Sequence, residues 1–552
     1  MTPSLAQQPG RDADEQPWWR GFLCAGLVFV VVLVLFWPVV SPTKGWDDDM
    51  GIFANPVMHQ AAPAALRRIW SAPLMDLYIP LTFTVWWWLA RLAFENTFAG
   101  PQIDPHLFHA ANVLIHVGCA LAVFALLRRL VKNDWAACAG ALVFAIHPVQ
   151  VEPVAWISGT KDLLCGLFCV IALHQYVRFA TGTENRALHL AAAIVAFVAA
   201  TLSKPTAVAF PLIIVAVDVL ALRRTWRAAL IGVAPFVALS VACALWTIRA
   251  QTSAANAPQL VAPHLRPLVA ADALAFYLYK LVAPVNLAID YGRTPGMTIE
   301  RGWIWWTWAA LVIPVAILVL VRRRAPMVVA GALIFLAALL PVLGLKRFDF
   351  QFYSTVSDRY LYLPMLGIGL VVAALLARTP TAAGWVGFIV VALALLFFTH
   401  QQTKHWRSTT TLHEHTLAVN PRSWSSANTL ATLALVQQRY TDAQALAQRA
   451  LDAGGDNWQV RLVLGQALER QGQLDAAIAH LERTVELRPD LLQPHVLLAS
   501  AYLQRRRMPE GVQQLETALK INPNDPAARH LMQLVNANRG LQGGTWPATA
   551  PR

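Results

Sequence analysis

Three consecutive acids, Asp47-Asp48-Asp49, stand about seven residues beyond an apolar run, 21–40, that is long enough to cross a bilayer. Trp46 precedes them and Asn55-Pro56 closes the stretch, so an acidic cluster is held in a turn-rich segment at one membrane face. A carboxylate in that layer can meet a group embedded in lipid and a hydroxyl arriving from water, and can take a proton from the latter. Asp47 and Asp48 are the candidate bases, with Asp49 in support.

Four further polar clusters flank apolar segments. The first runs from His147-Pro148 through Glu152 and Trp156 to Lys161-Asp162, and the second is Ser203-Lys204-Pro205. The third, Asn286 to Tyr291, contains Asp290, and the fourth is Asp358-Arg359-Tyr360. Each ionisable group alone has a structural reading. His147 before proline can cap a span, Glu152 can pair with Lys161, Lys204 can snorkel, and Asp358 can bridge to Arg359. Together, Lys204 and Arg359 suit a phosphate, Arg as a planar fork and Lys as a point charge, with Lys161 as a third cation. His147, Glu152 and Asp358 are the supporting residues. Hard divalent cations want several oxygen ligands and only the acidic triplet offers them, so a metal there is the lesser alternative and no ligands are assigned.

The elements that must position these groups are membrane helices. Hydrophobic residues make up 57% of the chain and charged ones 14%, against roughly 25% charged in an ordinary soluble domain. Apolar segments fall at 21–40, 107–127, 135–149, 163–179, 187–203, 205–222, 228–248, 303–321, 326–345, 361–378 and 383–399, giving an all-α polytopic membrane protein of about eleven transmembrane helices. Arg128-Arg129, Arg178 with Arg186, Arg223-Arg224 and Arg322-Arg323-Arg324 follow even-numbered segments, which makes those loops cytoplasmic. The formal net charge of +13 is thereby used in topology signals rather than in one basic stripe, and nucleic acid is not an expected partner. The segment 268–284 is read as an interfacial helix, since a twelfth span would put the arginine triplet on the wrong side. All the polar clusters then converge on the outer face. Six cysteines lie in or beside apolar runs, without metal-finger spacing, and are assigned no chemistry.

Beyond residue 400 the sequence becomes polar and periodic. Pro421, Gly455, Pro489 and Pro523 recur every 34 residues, the tetratricopeptide period, with small residues in phase at Ala431, Gly465 and Ala499 and again at Ala443, Ala477 and Gly511. The expected organisation is a cytoplasmic tail (1–20), a membrane domain (21–400), a tetratricopeptide-repeat α-solenoid (401–538) and a disordered tail (539–552). Stacked repeats form a groove suited to a peptide or partner protein.

The segment from Trp46-Asp47-Asp48-Asp49 to Asn55-Pro56, the His147-Pro148 to Lys161-Asp162 segment, Ser203-Lys204-Pro205, Asp358-Arg359-Tyr360 and the repeats follow one another in an order that resembles the transmembrane and tetratricopeptide-repeat family, which is itself similar to the protein O-mannosyltransferases. The resemblance implies a GT-C type glycosyltransferase in which paired acids, here Asp47 and Asp48, assist sugar transfer from a polyprenyl-phosphate donor to an acceptor, with no further cofactor assigned. A protein hydroxyl is the expected acceptor, recruited by the repeats. The third acid, Asp49, departs from the pattern and leaves the register of the catalytic one open. The competing expectation is a non-catalytic membrane scaffold whose repeats recruit envelope proteins. Short loops and an Ala- and Arg-rich composition point to a bacterial inner membrane with the repeats in the periplasm.

Overall fold

The computed structural model describes residues 17–40, 45, 48–97, 100–250, 261–378 and 380–540. Apart from one antiparallel pair, Phe94–Thr97 against Gly100–Ile103, its regular elements are helices. The chain divides into a unit ending at Thr409 and a second beginning at Thr410. That division lies beyond the change of composition at 400, because the last apolar helix, Ala382–His405, continues into polar sequence. Trp46, Asp47, most of the amino-terminal tail and residues 541–552 lie outside the described residues.

Among the described residues six helices are long and apolar enough to cross a membrane: Trp18–Val39, His106–Val131, Ile157–Thr181, Arg186–Ser203, Trp226–Ala250 and Ala382–His405. A bent pair, Asp134–Ile146 with Pro148–Ala155, turns by 54°. The bend is built into the sequence, since Pro148 has no N–H to continue the ladder and holds His147 in extended backbone. Four shorter apolar helices, Pro205–Ala221, Thr307–Val321, Pro326–Val342 and Met365–Arg378, occupy the remaining apolar segments. The helix Arg266–Val282 belongs to neither set. It buries Asp272 and Lys280 beside Val269 and Tyr277 and leaves Tyr279 and Val282 exposed.

Glycine sets two of the helix crossings. In Met365–Arg378, Gly367 and Gly369 are two residues apart and so face different neighbours. A Cβ on Gly367 would lie 2.2 Å from the Gly331 carbonyl oxygen of Pro326–Leu339, and one on Gly369 would lie 2.7 Å from the Gly140 carbonyl oxygen of Asp134–Ile146. Backbone therefore packs on backbone on both sides of this helix, which begins shortly after Arg359.

Between the first two long helices the chain builds more than a turn-rich loop. Helices Pro56–His59, Ala62–Ser71 and Pro80–Leu92 and the hairpin enclose a cluster that includes Ile52, Phe83, Trp86, Trp87 and Phe108. Thr82 Oγ1 of this cap donates to the Ser203 carbonyl at 3.0 Å, immediately before Lys204.

The second unit is a stack of antiparallel helix pairs: Trp424–Val436 with Tyr440–Asp452, Trp458–Arg470 with Leu474–Leu487, and Leu492–Gln504 with Met508–Ile521. Thr409–Val419 precedes them and Pro526–Gly540 follows. The in-phase small residues Ala431, Ala443, Ala477 and Ala499 are fully buried, and a Cβ on Gly465 would come within 2.8 Å of Leu481 Cγ. Close helix approach explains their periodicity.

Candidate functional site

The segment 147–162 is the scaffold of the site. Its two bends are fixed by Pro148 and by Gly159, where a Cβ would stand 2.2 Å from the Pro153 carbonyl oxygen. Asn112, fully buried on the helix His106–Val131, donates to the Trp156 carbonyl at 2.8 Å and accepts from Thr160 Oγ1 at 2.7 Å. A side chain from a long helix thus satisfies the backbone of a buried turn, which would otherwise carry unpaired polar groups.

Two ion pairs hang from this scaffold. Glu152 accepts from the Arg359 guanidinium, from Ser357 Oγ at 2.9 Å and from the Arg359 backbone N–H at 3.2 Å. Burial works against the Arg359 charge, but Glu152, Tyr360 and Asp162 together raise the guanidinium pKa above its ordinary value. The guanidinium also faces Phe350 at 4.1 Å, Trp156 at 5.0 Å and Tyr360 at 5.0 Å. The second pair is Lys204 with Asp162, and the Lys204 ammonium lies 5.3 Å from the Tyr360 ring. Asp162, Lys204, Arg359 and Tyr360 line one cavity of about 30 Å³. The two cations read from the sequence as a phosphate pair are therefore neighbours, separated by an aromatic ring that contacts both.

The described part of the acidic segment joins this site through Trp156. Asp48 is fully buried. Its Oδ1 accepts from the Ser158 N–H at 2.9 Å and Ser158 Oγ at 2.7 Å, and its Oδ2 accepts from the Gly45 N–H at 2.6 Å. Gly45 approaches so closely that a Cβ there would meet Trp156 Cδ1 at 2.5 Å. Asp48 thus clips the chain beyond the first long helix onto the 147–162 segment. Asp49 is exposed at the start of the short helix Asp49–Phe53. Asp47 lies outside the described residues, so its candidacy rests on the sequence.

Several assignments change. Glu152 pairs with Arg359 and not with Lys161, whose ammonium sits 4.2 Å from the Trp156 ring and is not among the cavity's lining residues. Asp358 does not bridge to Arg359. It turns the other way and accepts from Tyr291 Oη at 2.8 and 2.9 Å, and burial, then the nearby Glu152 charge, push its carboxyl well above the usual range. His147 lies outside the cavity too: its Nδ1 accepts from Val149 N–H at 3.4 Å, leaving Nε2 to donate to the Leu281 carbonyl at 3.2 Å, so it ties the bent pair to the interfacial helix. Among the described residues no group of three His, Cys, Asp or Glu side chains is placed to hold a metal ion. Sequence reasoning passed over Asp162, Tyr360 and Ser158. Each adjoins or lies within a cluster that it did single out, and the signal was the clustering itself.

Comparison with known proteins covers both units. Residues 428–491 and 470–535 match tetratricopeptide-repeat family models. Protein O-mannosyl-transferase Tmtc1 of Drosophila melanogaster is 30% identical over 200 residues, 36% of this chain and 22% of the relative. Protein O-mannosyl-transferase F38B6.6 of Caenorhabditis elegans is 24% identical over 399 residues, 68% of this chain and 55% of the relative. The latter alignment is longer than the repeat unit and so takes in the membrane unit as well. These alignments span between about a fifth and about half of the relatives' own length. Among solved structures, ArnT from Cupriavidus metallidurans bound to undecaprenyl phosphate aligns with 86% of this chain and 80% of its own at 15% identity and a TM-score of 0.39. The chain is an all-helical membrane protein with carboxy-terminal tetratricopeptide repeats, and it resembles proteins named as O-mannosyl-transferases.

Proposed function

We propose that this protein is an integral-membrane glycosyltransferase of the GT-C type that moves a sugar from a polyprenyl-phosphate carrier to a protein hydroxyl on the outer face of a bacterial inner membrane, with the repeats in the periplasm recruiting the acceptor. The observation that carries the reading is the convergence of Lys204 and Arg359 on one cavity, next to a Trp156 that also receives the acidic segment. The printed names of the relatives support transfer of mannose.

In this reading Asp47 takes the proton of the acceptor hydroxyl. The acceptor oxygen forms a bond to the sugar's anomeric carbon while the bond from that carbon to the phosphate oxygen breaks. The electron pair leaves on the phosphate, whose growing charge Lys204 and Arg359 stabilise. Asp48 positions the loop and Tyr360 keeps the two cations side by side.

A scaffold is the second reading, and one observation favours it: both cations already hold carboxylates of the same chain. Turnover separates the two. Purified protein supplied with undecaprenyl-phosphate mannose and a Ser/Thr-rich peptide should transfer label, and Asp47→Asn should lower the rate by about 10² to 10⁴. No transfer by the parent protein, or a variant within a few-fold of it, leaves the scaffold in its place.

A further inference from the structure

The carboxylates that pair with the two cations are held in different ways. Glu152 uses both oxygens, one accepting from the Arg359 guanidinium and Ser357, the other from the Arg359 backbone. Asp162 is as deeply buried, at 6% exposure, yet only its Oδ1 has a donor, the Lys204 ammonium; its Oδ2 accepts no hydrogen bond among the described residues. A buried carboxylate that leaves half its acceptor capacity unused is poorly anchored compared with its neighbour. Its partner is equally adaptable, a charge on a flexible four-carbon stem that already borders the Tyr360 ring and keeps that contact if the carboxylate turns away.

Size and charge both set Asp162 against an incoming phosphate. The cavity of about 30 Å³ has room for roughly one water-sized group, less than a phosphate needs. With Glu152 and Asp162 in place the two cations are paired with carboxylates, and Asp162 lines the cavity that an anion would enter. With Asp162 turned out, the cavity regains one net positive charge and the space its carboxylate held.

We propose that Asp162 is an internal stand-in for the donor phosphate: it holds Lys204 when no lipid phosphate is bound and surrenders it when one arrives. This inference rests on the donor reading above. Asp162 weakens donor binding by competition, and in return Lys204 stays oriented and paired in a buried site between turnovers. It also eases departure of the spent carrier phosphate, because the released lysine has a carboxylate waiting.

The test is the affinity of the full-length protein in detergent for undecaprenyl phosphate, with undecaprenol as a control that has the same tail and no phosphate. Asp162→Asn should bind undecaprenyl phosphate more tightly by about fivefold or more and undecaprenol as the parent does, and Lys204→Gln should abolish the gain. If Asp162→Asn does not fold, Asp162→Ser, which offers Lys204 a hydroxyl without the charge, gives the same readout. Unchanged or weaker binding of the phosphate, or equal tightening for the alcohol, overturns the exchange. A parent protein that does not prefer undecaprenyl phosphate to undecaprenol overturns the donor reading itself, whereas a parent that does, with no gain in the variant, overturns only the role of Asp162.

Discussion

Asp48 and Asp47 are chemically identical and adjacent, and the structure gives Asp48 a job that a free base could not do. Its two oxygens take three donors, from Ser158 and Gly45. In Asp48→Asn one side-chain atom becomes a donor facing another donor, so the variant should lose stability by about 1–3 kcal/mol. Thermal unfolding in detergent checks this: Asp48→Asn should melt below the parent, while Asp47→Asn should lose turnover and melt as the parent does. At this scale the sequence was readable in part. Residue type and joint position on one face identified Lys204 and Arg359 as a pair. They could not identify partners, because Glu152 meets Arg359 across 207 residues and Asp162 meets Lys204 across 42. Nothing local to Glu152 prefers Arg359 over the nearer Lys161, and only the folded chain makes the choice.

Among the elements, the helix Met365–Arg378 does most to place the site, since it holds the end of the turn that carries Arg359. Its two glycines leave no room for a side chain on either neighbour, so Gly369→Leu should push it from Asp134–Ile146 and cost about 1–3 kcal/mol or more. The expected readout is a lower melting temperature together with weaker undecaprenyl phosphate binding, whereas Gly387→Leu, where a Cβ would meet nothing within 4 Å, should change neither. In the repeat unit the helix Thr409–Val419 buries His413, whose Nδ1 lies 3.1 Å from Ser426 Oγ. Burial lowers its pKa from 6.5 to about 4. A depressed value means that this contribution is fully present above pH 6.5 and is lost as pH falls towards 4, on the order of 3 kcal/mol at most. Hydrogen exchange over 410–426, corrected for intrinsic rates, should therefore show the segment opening more often at pH 5 than at pH 7.5, and His413→Gln should flatten that difference. Helices of this kind were legible because period and hydrophobicity act locally. The cap over 56–103 was not, because its short helices and hairpin are held by contacts to Phe108 and Ser203 rather than by a repeating pattern of their own.

For the whole molecule the governing expectation is topological. Reporter fusions at 130 and 224 should report cytoplasm, and fusions at 155, 350 and 410 the outer side, because the basic clusters follow even-numbered apolar segments. Inside labels at both 350 and 410, with the other three unchanged, would make Arg266–Val282 a span and would part the repeats from the acidic segment. The architecture was the most readable level of all. A run of apolar residues needs only composition, and a 34-residue period needs only self-similarity. What such patterns leave open is depth: they bring Asp48, Glu152 and Asp358 to one face without distinguishing a clip, a counter-ion and a carboxyl turned away from the cavity.

The long reach from Glu152 to Arg359 also imposes an order in time. During synthesis Lys204 emerges only 42 residues after its partner Asp162, while six of the eleven apolar segments are still to come. Glu152 must wait for Arg359, which appears only when the chain is nearly ready to begin Met365–Arg378. Until then a carboxylate destined for burial lacks its guanidinium partner. The pair therefore closes only after the turn that precedes Met365–Arg378 has been made.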